Sequence, residues 1–230
     1  YDKLVAYAEP KLQIPDLKKR NDLHRILGQA YFEQNDYVKA LSHLERYAEG
    51  AKRMRKEDFY QLGYVYYKND DLALGLATIE RFNRLNPTHP KADWVLYMRG
   101  LMHMAQDRSF MHDLFRVDRS DRDPEPARAA FKDFKRLLER YPDSLYAEDA
   151  QTRMFALKNR LADYELATAD FYLRREAWIS AINRSQELQR TYPDTEAARK
   201  SLTIMLAAYK ELKLEDAIAR TEELIALNPQ

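Results

Sequence analysis

The acidic run at residues 118–123 is the stretch whose side chains come nearest to metal-binding chemistry. Aspartates recur there among arginine and serine, but the glycine and the later bidentate glutamate of a calcium-binding loop are missing. The five histidines include no pair four residues apart, the spacing of a helical metal site. We therefore predict no metal site. The acidic run is interpreted as turn residues held by Arg–Asp pairs, and the histidines as solvated or capping residues.

Catalytic chemistry has no support in the residue pattern. The chain has no cysteine, which excludes thiolate catalysis, disulfides and cysteine-ligated zinc. No Ser/His/Asp order, glycine-rich phosphate loop or isolated carboxylate pair stands out. Lysine and arginine together number 38, against 37 aspartates and glutamates, so the chain lacks the basic excess typical of nucleic-acid binding. We predict a non-enzymatic protein that uses no cofactor and does not bind nucleic acid.

Small and aromatic residues recur with a period that predicts stacked helix pairs. The step from Gly28 to Gly63 is 35 residues, close to the roughly 34-residue period of tetratricopeptide (TPR) repeats. Prolines that close the repeats stand in matching contexts, LNP, YPD, YPD and LNP, at positions 87, 142, 193 and 229. We predict an all-α fold, a right-handed superhelical TPR solenoid of about five helix-turn-helix repeats.

Two irregular spacings divide the predicted solenoid. A long loop at 107–124 separates the two helices of the third repeat, and such loops tend to be functional or flexible. The step from Pro142 to Pro193 is 51 residues, which is too long for one plain repeat. We predict three N-terminal repeats over 1–144 and two C-terminal repeats over 145–230, joined by one long helix over 145–174.

The first helices of TPR repeats line a groove that binds extended or helical peptides. In this chain the N-terminal groove is predicted to be lined by Arg25, Gln29, Phe32, Tyr60, Tyr64, Tyr67, Asp93 and Tyr97. On the long helix, Tyr164 shares a face with Phe171 and Tyr172. We assign Tyr172 to packing and Tyr164 to the surface, where its ring can stack on an aromatic side chain of a bound segment.

Three segments carry a family resemblance: RFNRLNPTHP at 81–90, YMRGL at 97–101 and FRVDRSDRDPEPARAAF at 115–131. In this order and spacing they resemble the BamD family, helical-repeat lipoproteins of the machine that assembles β-barrels into the bacterial outer membrane. The resemblance runs from about Tyr66 to the C-terminus. It implies a scaffold on the periplasmic face of the outer membrane of a Gram-negative bacterium. Membrane attachment is expected only through a lipid anchor that is absent from this sequence.

The resemblance also implies partners and contact residues. In the family, the arginine of an Asn-Arg pair contacts the last POTRA domain of the barrel-shaped partner BamA, and the matching pair here is Asn183-Arg184. Glu187 and Arg190 lie on or near the same region, and a guanidinium suits a partner carboxylate because it can bond it through two parallel N–H groups. Unfolded outer-membrane proteins and the lipoprotein BamC are expected at the other predicted residues: Tyr60, Tyr64, Tyr67, Asp93, Tyr97 and Tyr164.

Residues 1–57 depart from the family's first repeat, because its Tyr-Pro-Phe-Gly-like turn is missing. Residues 26–69 instead look like a repeat of an unrelated bacterial TPR protein. One hypothesis is a chimera, natural or engineered, joined near residues 66–69; the other is a divergent first repeat. Two further functions stay open, a generic TPR peptide-binding adaptor and an engineered or chimeric TPR scaffold without a native partner.

Overall fold

The chain folds into helices over the residues that the computed structural model describes, which are 1–51, 54–107 and 123–227. No strand occurs in these ranges, and the prediction of an all-α, TPR-type fold is confirmed. A short 3₁₀ helix over Glu9–Gln13 follows the first α-helix. In chain order the α-helices are α1 (Asp2–Ala8), α2 (Leu17–Glu33), α3 (Tyr37–Gly50), α4 (Lys56–Lys68), α5 (Leu72–Leu85), α6 (Ala92–Gln106), α7 (Glu125–Arg140), α8 (Ala147–Arg174), α9 (Trp178–Thr191), α10 (Glu196–Glu211) and α11 (Glu215–Leu227).

Helix pairs approach closely where a glycine removes a side chain from the interface. A Cβ atom added at Gly28 on α2 would lie 2.7 Å from the side chain of Leu44 on α3. One added at Gly63 on α4 would lie 2.6 Å from the side chain of Ile79 on α5. A larger residue would therefore displace the facing side chain or separate the helices. The two glycines set the interhelical distance of these pairs, as the repeat pattern predicts.

The turns between paired helices share one backbone geometry. At the end of α2, the Asp36 N–H donates to the Tyr31 carbonyl and the Asn35 N–H donates to the Phe32 carbonyl, both at 3.0 Å. This pair of bonds defines a Schellman C-cap, and Asn35 has a left-handed φ of 60°. The same bonds recur at three further turns, whose left-handed residues are Asp70, Glu176 and Lys213. The carbonyl that accepts the longer-range bond belongs each time to a tyrosine: Tyr31, Tyr66, Tyr172 and Tyr209.

The chain divides into two compact units, an N-terminal unit of residues 1–102 and a C-terminal unit of residues 103–230. Helix α8 covers most of the 145–174 segment predicted as one long helix. The predicted loop at 107–124 lies largely outside the described residues, since α6 ends at Gln106 and α7 begins at Glu125. The predicted division at 144/145 stays a prediction.

Two histidines that are distant in sequence meet between α2 and α3. The Nδ1 atoms of His24 and His43 are 2.9 Å apart, and the Tyr31 ring stacks on His43 with 5.7 Å between ring centroids. Burial lowers the pKa of both imidazoles, and the charge of Arg46 acts in the same direction on each. The expectation of solvated or capping histidines is therefore wrong for this pair, which belongs to the packing between two helices.

Replacing Glu176 with glycine is expected to raise the free energy of unfolding by about 0.5–1 kcal/mol, because glycine adopts a left-handed backbone without the steric cost that other residues bear. The matched control is Glu223→Gly, at an exposed position inside α11. There the lost helix propensity is expected to lower the free energy of unfolding by about 1 kcal/mol. Urea denaturation followed by circular dichroism measures both changes. Equal destabilisation by the two substitutions would contradict the turn geometry.

Candidate protein-binding surfaces

A buried carboxylate links three helices of the C-terminal unit. Glu165 on α8 is only 6% exposed. Its Oε1 atom accepts a hydrogen bond from Nη2 of Arg128 on α7 at 3.0 Å, and its Oε2 atom accepts one from Nη1 of Arg184 on α9 at 3.3 Å. A buried charge is unfavourable unless it is paired and hydrogen-bonded. These two bonds make the carboxylate compatible with its position between the helices, and we call the three residues the Glu165 triad.

Arg184, the residue expected to contact a partner, is the outward-facing member of this triad on α9. Its side chain keeps 46% of its surface exposed while Nη1 is bonded to Glu165. Within the described part of the chain, that bond is the one hydrogen bond the guanidinium makes. Its Nε and Nη2 atoms can therefore donate to a group outside the chain. Because Glu165 already holds the guanidinium, a partner would have less side-chain motion to arrest on binding.

The other residues predicted at this surface lie along the same side of α9. Asn183, Glu187 and Arg190 are all exposed. The Arg190 guanidinium donates to both Glu187 oxygens, from Nη2 to Oε1 at 2.8 Å and from Nε to Oε2 at 3.1 Å. Bonds from Arg190 and then Thr191 lower the pKa of Glu187. Glu187 and Arg190 thus neutralise one another, which leaves Arg184 as the cation directed at solvent from the middle of the helix.

Tyr164 lies beside the Glu165 triad. The Arg128 guanidinium carbon is 6.0 Å from the centre of the Tyr164 ring. Tyr192, which follows α9, is close as well: burial raises the pKa of its phenol, the charge of Arg128 opposes that change, and the Glu165 carboxylate adds to it. The structure therefore places Tyr164, predicted among the substrate-binding residues, next to Arg128, which shares the Glu165 carboxylate with Arg184.

Three members of this surface, Arg128, Glu165 and Tyr192, are not predicted by the sequence pattern. Glu165 alone carries a usable signal. It lies four positions after Leu161 and four before Ala169, in the stripe that α8 buries, and a carboxylate in a buried stripe needs a cationic partner. The pattern does not identify that partner, because Arg128 and Arg184 are 37 and 19 positions away in the chain.

Tyr60, one of the predicted groove residues, belongs to an aromatic cluster of the N-terminal unit. Its ring centroid lies 4.9 Å from that of Phe82 and 5.6 Å from those of His89 and Trp94. Its hydroxyl oxygen is 3.0 Å from Nε2 of His89, and burial raises the pKa of its phenol. Tyr60 is thus half-buried, with part of its ring committed to packing.

Tyr64 and Tyr67 lie on the same helix, α4, in a second aromatic group. Tyr64 makes edge-on contacts with Phe32 and Tyr37, at centroid distances of 5.7 and 5.9 Å. The Tyr67 ring is 6.3 Å from that of Tyr64, and the Lys68 ammonium lies 5.2 Å from the centre of Tyr37. These half-buried rings leave aromatic edges at the surface, next to a lysine.

Asp93 and Tyr97 are one helical turn apart on α6. The Oδ1 atom of Asp93 accepts a hydrogen bond from the backbone N–H of Trp94 at 2.8 Å, and Tyr97 packs against the buried cluster around Phe82 and Met98. Of the eight predicted groove residues, the structure places these five on α4 and α6 and the other three, Arg25, Gln29 and Phe32, on α2, all within the N-terminal unit. Their role in binding stays a prediction.

The fold and these surfaces define a class: a TPR-type helical-repeat protein that presents aromatic and charged side chains at its surface. In the described ranges, no group of three potential ligands is arranged to hold a metal ion. Likewise, none of the helices there has both the length and the apolar character needed to cross a bilayer.

Comparison with known proteins gives the family. A family model described as the outer membrane lipoprotein YfiO matches residues 27–224. The outer membrane protein assembly factor BamD of Vibrio cholerae serotype O1 is 69% identical over 88% of this chain and 85% of its own length. Two further BamD proteins match. That of Pasteurella multocida is 36% identical over 88% of this chain and 78% of its own length, and that of Neisseria gonorrhoeae is 39% identical over 76% of this chain and 66% of its own length. The chain belongs to this family of outer-membrane assembly factors, which places it at the periplasmic side of the outer membrane.

The family match extends further toward the N-terminus than the sequence analysis predicts. The family model begins at residue 27, well before Tyr66, where the resemblance was expected to start. The Vibrio cholerae relative likewise covers 88% of the chain. Most of the segment attributed to an unrelated TPR protein therefore lies inside the family match. The match gives no support to a chimera joined near residues 66–69, and a divergent first repeat stays the alternative hypothesis.

Replacing Glu165 with alanine is expected to lower the free energy of unfolding by about 2 kcal/mol, because two charge-assisted hydrogen bonds between α7, α8 and α9 are lost. Glu187→Ala is the matched control, since it removes an exposed carboxylate that is paired within one helix; its expected effect is within about 0.5 kcal/mol. Chemical denaturation of the full chain measures both. A Glu165→Ala variant as stable as Glu187→Ala would show that the triad contributes little to the packing.

Proposed function

We propose that this protein is a non-enzymatic scaffold of the machine that assembles β-barrels into the outer membrane, and that it binds the POTRA region of BamA through α9. The observation that carries this proposal is Arg184, a half-exposed guanidinium held in place by the buried Glu165. Arginine is favoured at protein interfaces because it combines directional hydrogen bonds with a large contact area. Membership in a family of assembly factors supports this function over a generic peptide adaptor.

The N-terminal unit is proposed to receive extended segments, either of unfolded outer-membrane proteins or of BamC. Support comes from the half-buried tyrosines of α4 and α6, whose packed rings leave edges at the surface. Such rings offer apolar contact and a hydroxyl group with little loss of side-chain entropy. The proposal thus assigns aromatic contacts to the N-terminal unit and a charged contact to the C-terminal unit.

Arg184→Glu is expected to weaken binding to a purified BamA POTRA fragment about tenfold or more, because the reversed charge repels the carboxylate that the arginine binds. Arg184→Gln, which removes the charge without reversing it, should weaken binding less but in the same direction. Isothermal titration calorimetry measures both affinities.

Arg220→Glu is the control for this experiment, since it makes the same charge change at an exposed position on α11. Its affinity for the POTRA fragment should match that of the parent. Circular dichroism verifies that each variant is folded. Parental affinity in a folded Arg184→Glu variant would refute the proposed contact.

A further inference from the structure

Arg128 is a second guanidinium on the carboxylate that holds Arg184. Its Nη2 atom bonds Oε1 of Glu165 at 3.0 Å, while Arg184 bonds Oε2 of the same group. Both arginines remain partly open to solvent, with side-chain exposures of 42% for Arg128 and 46% for Arg184. Because they bond the two oxygens of one carboxylate, the two partly exposed guanidinium groups lie close to each other.

The charges around this pair include one exposed anion that a partner's carboxylate can replace. The negative charge of Glu165 neutralises one of the two guanidinium charges. Glu125 contacts the other, its Oε1 atom accepting a 2.7 Å bond from Nη1 of Arg128, but its side chain is 69% exposed. Exposed ion pairs of this kind contribute between roughly 0 and 1 kcal/mol. A carboxylate delivered by a partner can therefore replace Glu125 at small cost. The neighbouring Glu187 and Arg190 are bonded to each other and add no net charge.

Aromatic groups lie beside Arg128. The Tyr164 ring lies 6.0 Å from the Arg128 guanidinium, and the half-buried Tyr192 is close enough for Arg128 and Glu165 to act on its phenol. Rings beside a charged contact exclude water from it and thereby strengthen it. The surface therefore combines two oriented donors, a partly apolar border and an exposed anion that can be displaced.

From these observations we infer that Arg128 and Arg184 together bind one carboxylate of the partner, with Glu165 as the positioning residue beneath them and Glu125 as the group displaced. This inference rests on the proposed function, because it concerns the same surface of the C-terminal unit. It adds a second contact residue, Arg128 of α7, to the carboxylate contact already proposed for Arg184. Two guanidinium groups on one carboxylate offer more directional hydrogen bonds than either group alone.

The test compares the affinities of full-length variants for the same POTRA fragment. Arg128→Gln is expected to weaken binding about fivefold or more, since one of the two donors to the partner carboxylate is removed. Arg128→Lys keeps the positive charge but lacks the planar donor set, and its affinity should fall between those of the parent and Arg128→Gln. Glu125→Gln should bind as tightly as the parent or more tightly, because it removes the competing anion.

A double variant separates direct contact from positioning. If Arg128 served only to neutralise Glu165, then adding Glu165→Gln to Arg128→Gln would restore parental affinity, since no unpaired buried carboxylate would remain and the glutamine amide oxygen can still accept the bond from Arg184. We expect the double variant to bind no better than Arg128→Gln. Restored affinity in the double variant, parental affinity in Arg128→Gln, or weakened binding in Glu125→Gln would each overturn the inference.

The outcome for Arg184 distinguishes this inference from the proposed function. If Arg184→Glu loses affinity while a folded Arg128→Gln variant keeps it, the POTRA contact stands and only the two-arginine site is refuted. If Arg184→Glu itself binds like the parent, the proposed function fails, and the Arg128 contact fails with it. Thermal unfolding followed by circular dichroism establishes that each variant compared is folded.

Discussion

The packing of α7, α8 and α9 in the C-terminal unit depends on how one buried charge, the carboxylate of Glu165, is neutralised. A charge in that position destabilises the fold unless cations from neighbouring helices reach it, and Arg128 of α7 and Arg184 of α9 do so. The same bonds orient two guanidinium groups at the surface. The pairing that stabilises the buried carboxylate thus also fixes the geometry of a surface that suits an anionic partner. The stability of these three helices and their proposed role in binding therefore depend on the same contacts.

The two units present different chemistry on similar helix pairs. Both use the same turn, a Schellman cap with a left-handed residue, in the N-terminal unit at Asn35 and Asp70 and in the C-terminal unit at Glu176 and Lys213. The N-terminal unit places tyrosines at the surface of α4, whereas the C-terminal unit places arginines around Glu165. Repeat proteins vary surface residues while keeping the packing positions, and this arrangement allows one chain to offer separate contacts to an extended segment and to a folded domain.

Periodic features were predictable from the sequence, and pairwise contacts were not. Gly28 and Gly63 predict helix pairs because close packing demands a small residue, and the absence of glycine and proline over 145–174 predicts the long α8. The bond between His24 and His43 and the triad at Glu165 depend on which side chains face each other across helices, and one sequence does not record that. The family was predictable from three segments after residue 80, whereas residues 1–57, which lack the expected Tyr-Pro-Phe-Gly-like turn, gave no indication that the match begins at residue 27.

Hydrogen exchange measured by mass spectrometry, on the full chain with and without the BamA POTRA fragment, tests the central claim most directly. Amide protons exchange more slowly where a partner covers a surface or stabilises a helix. The account predicts slower exchange in peptides from α9, and in those from α7 and α8 that contain Arg128 and Glu165, with little change on α4. Slower exchange confined to the N-terminal unit, with α9 unchanged, would contradict it.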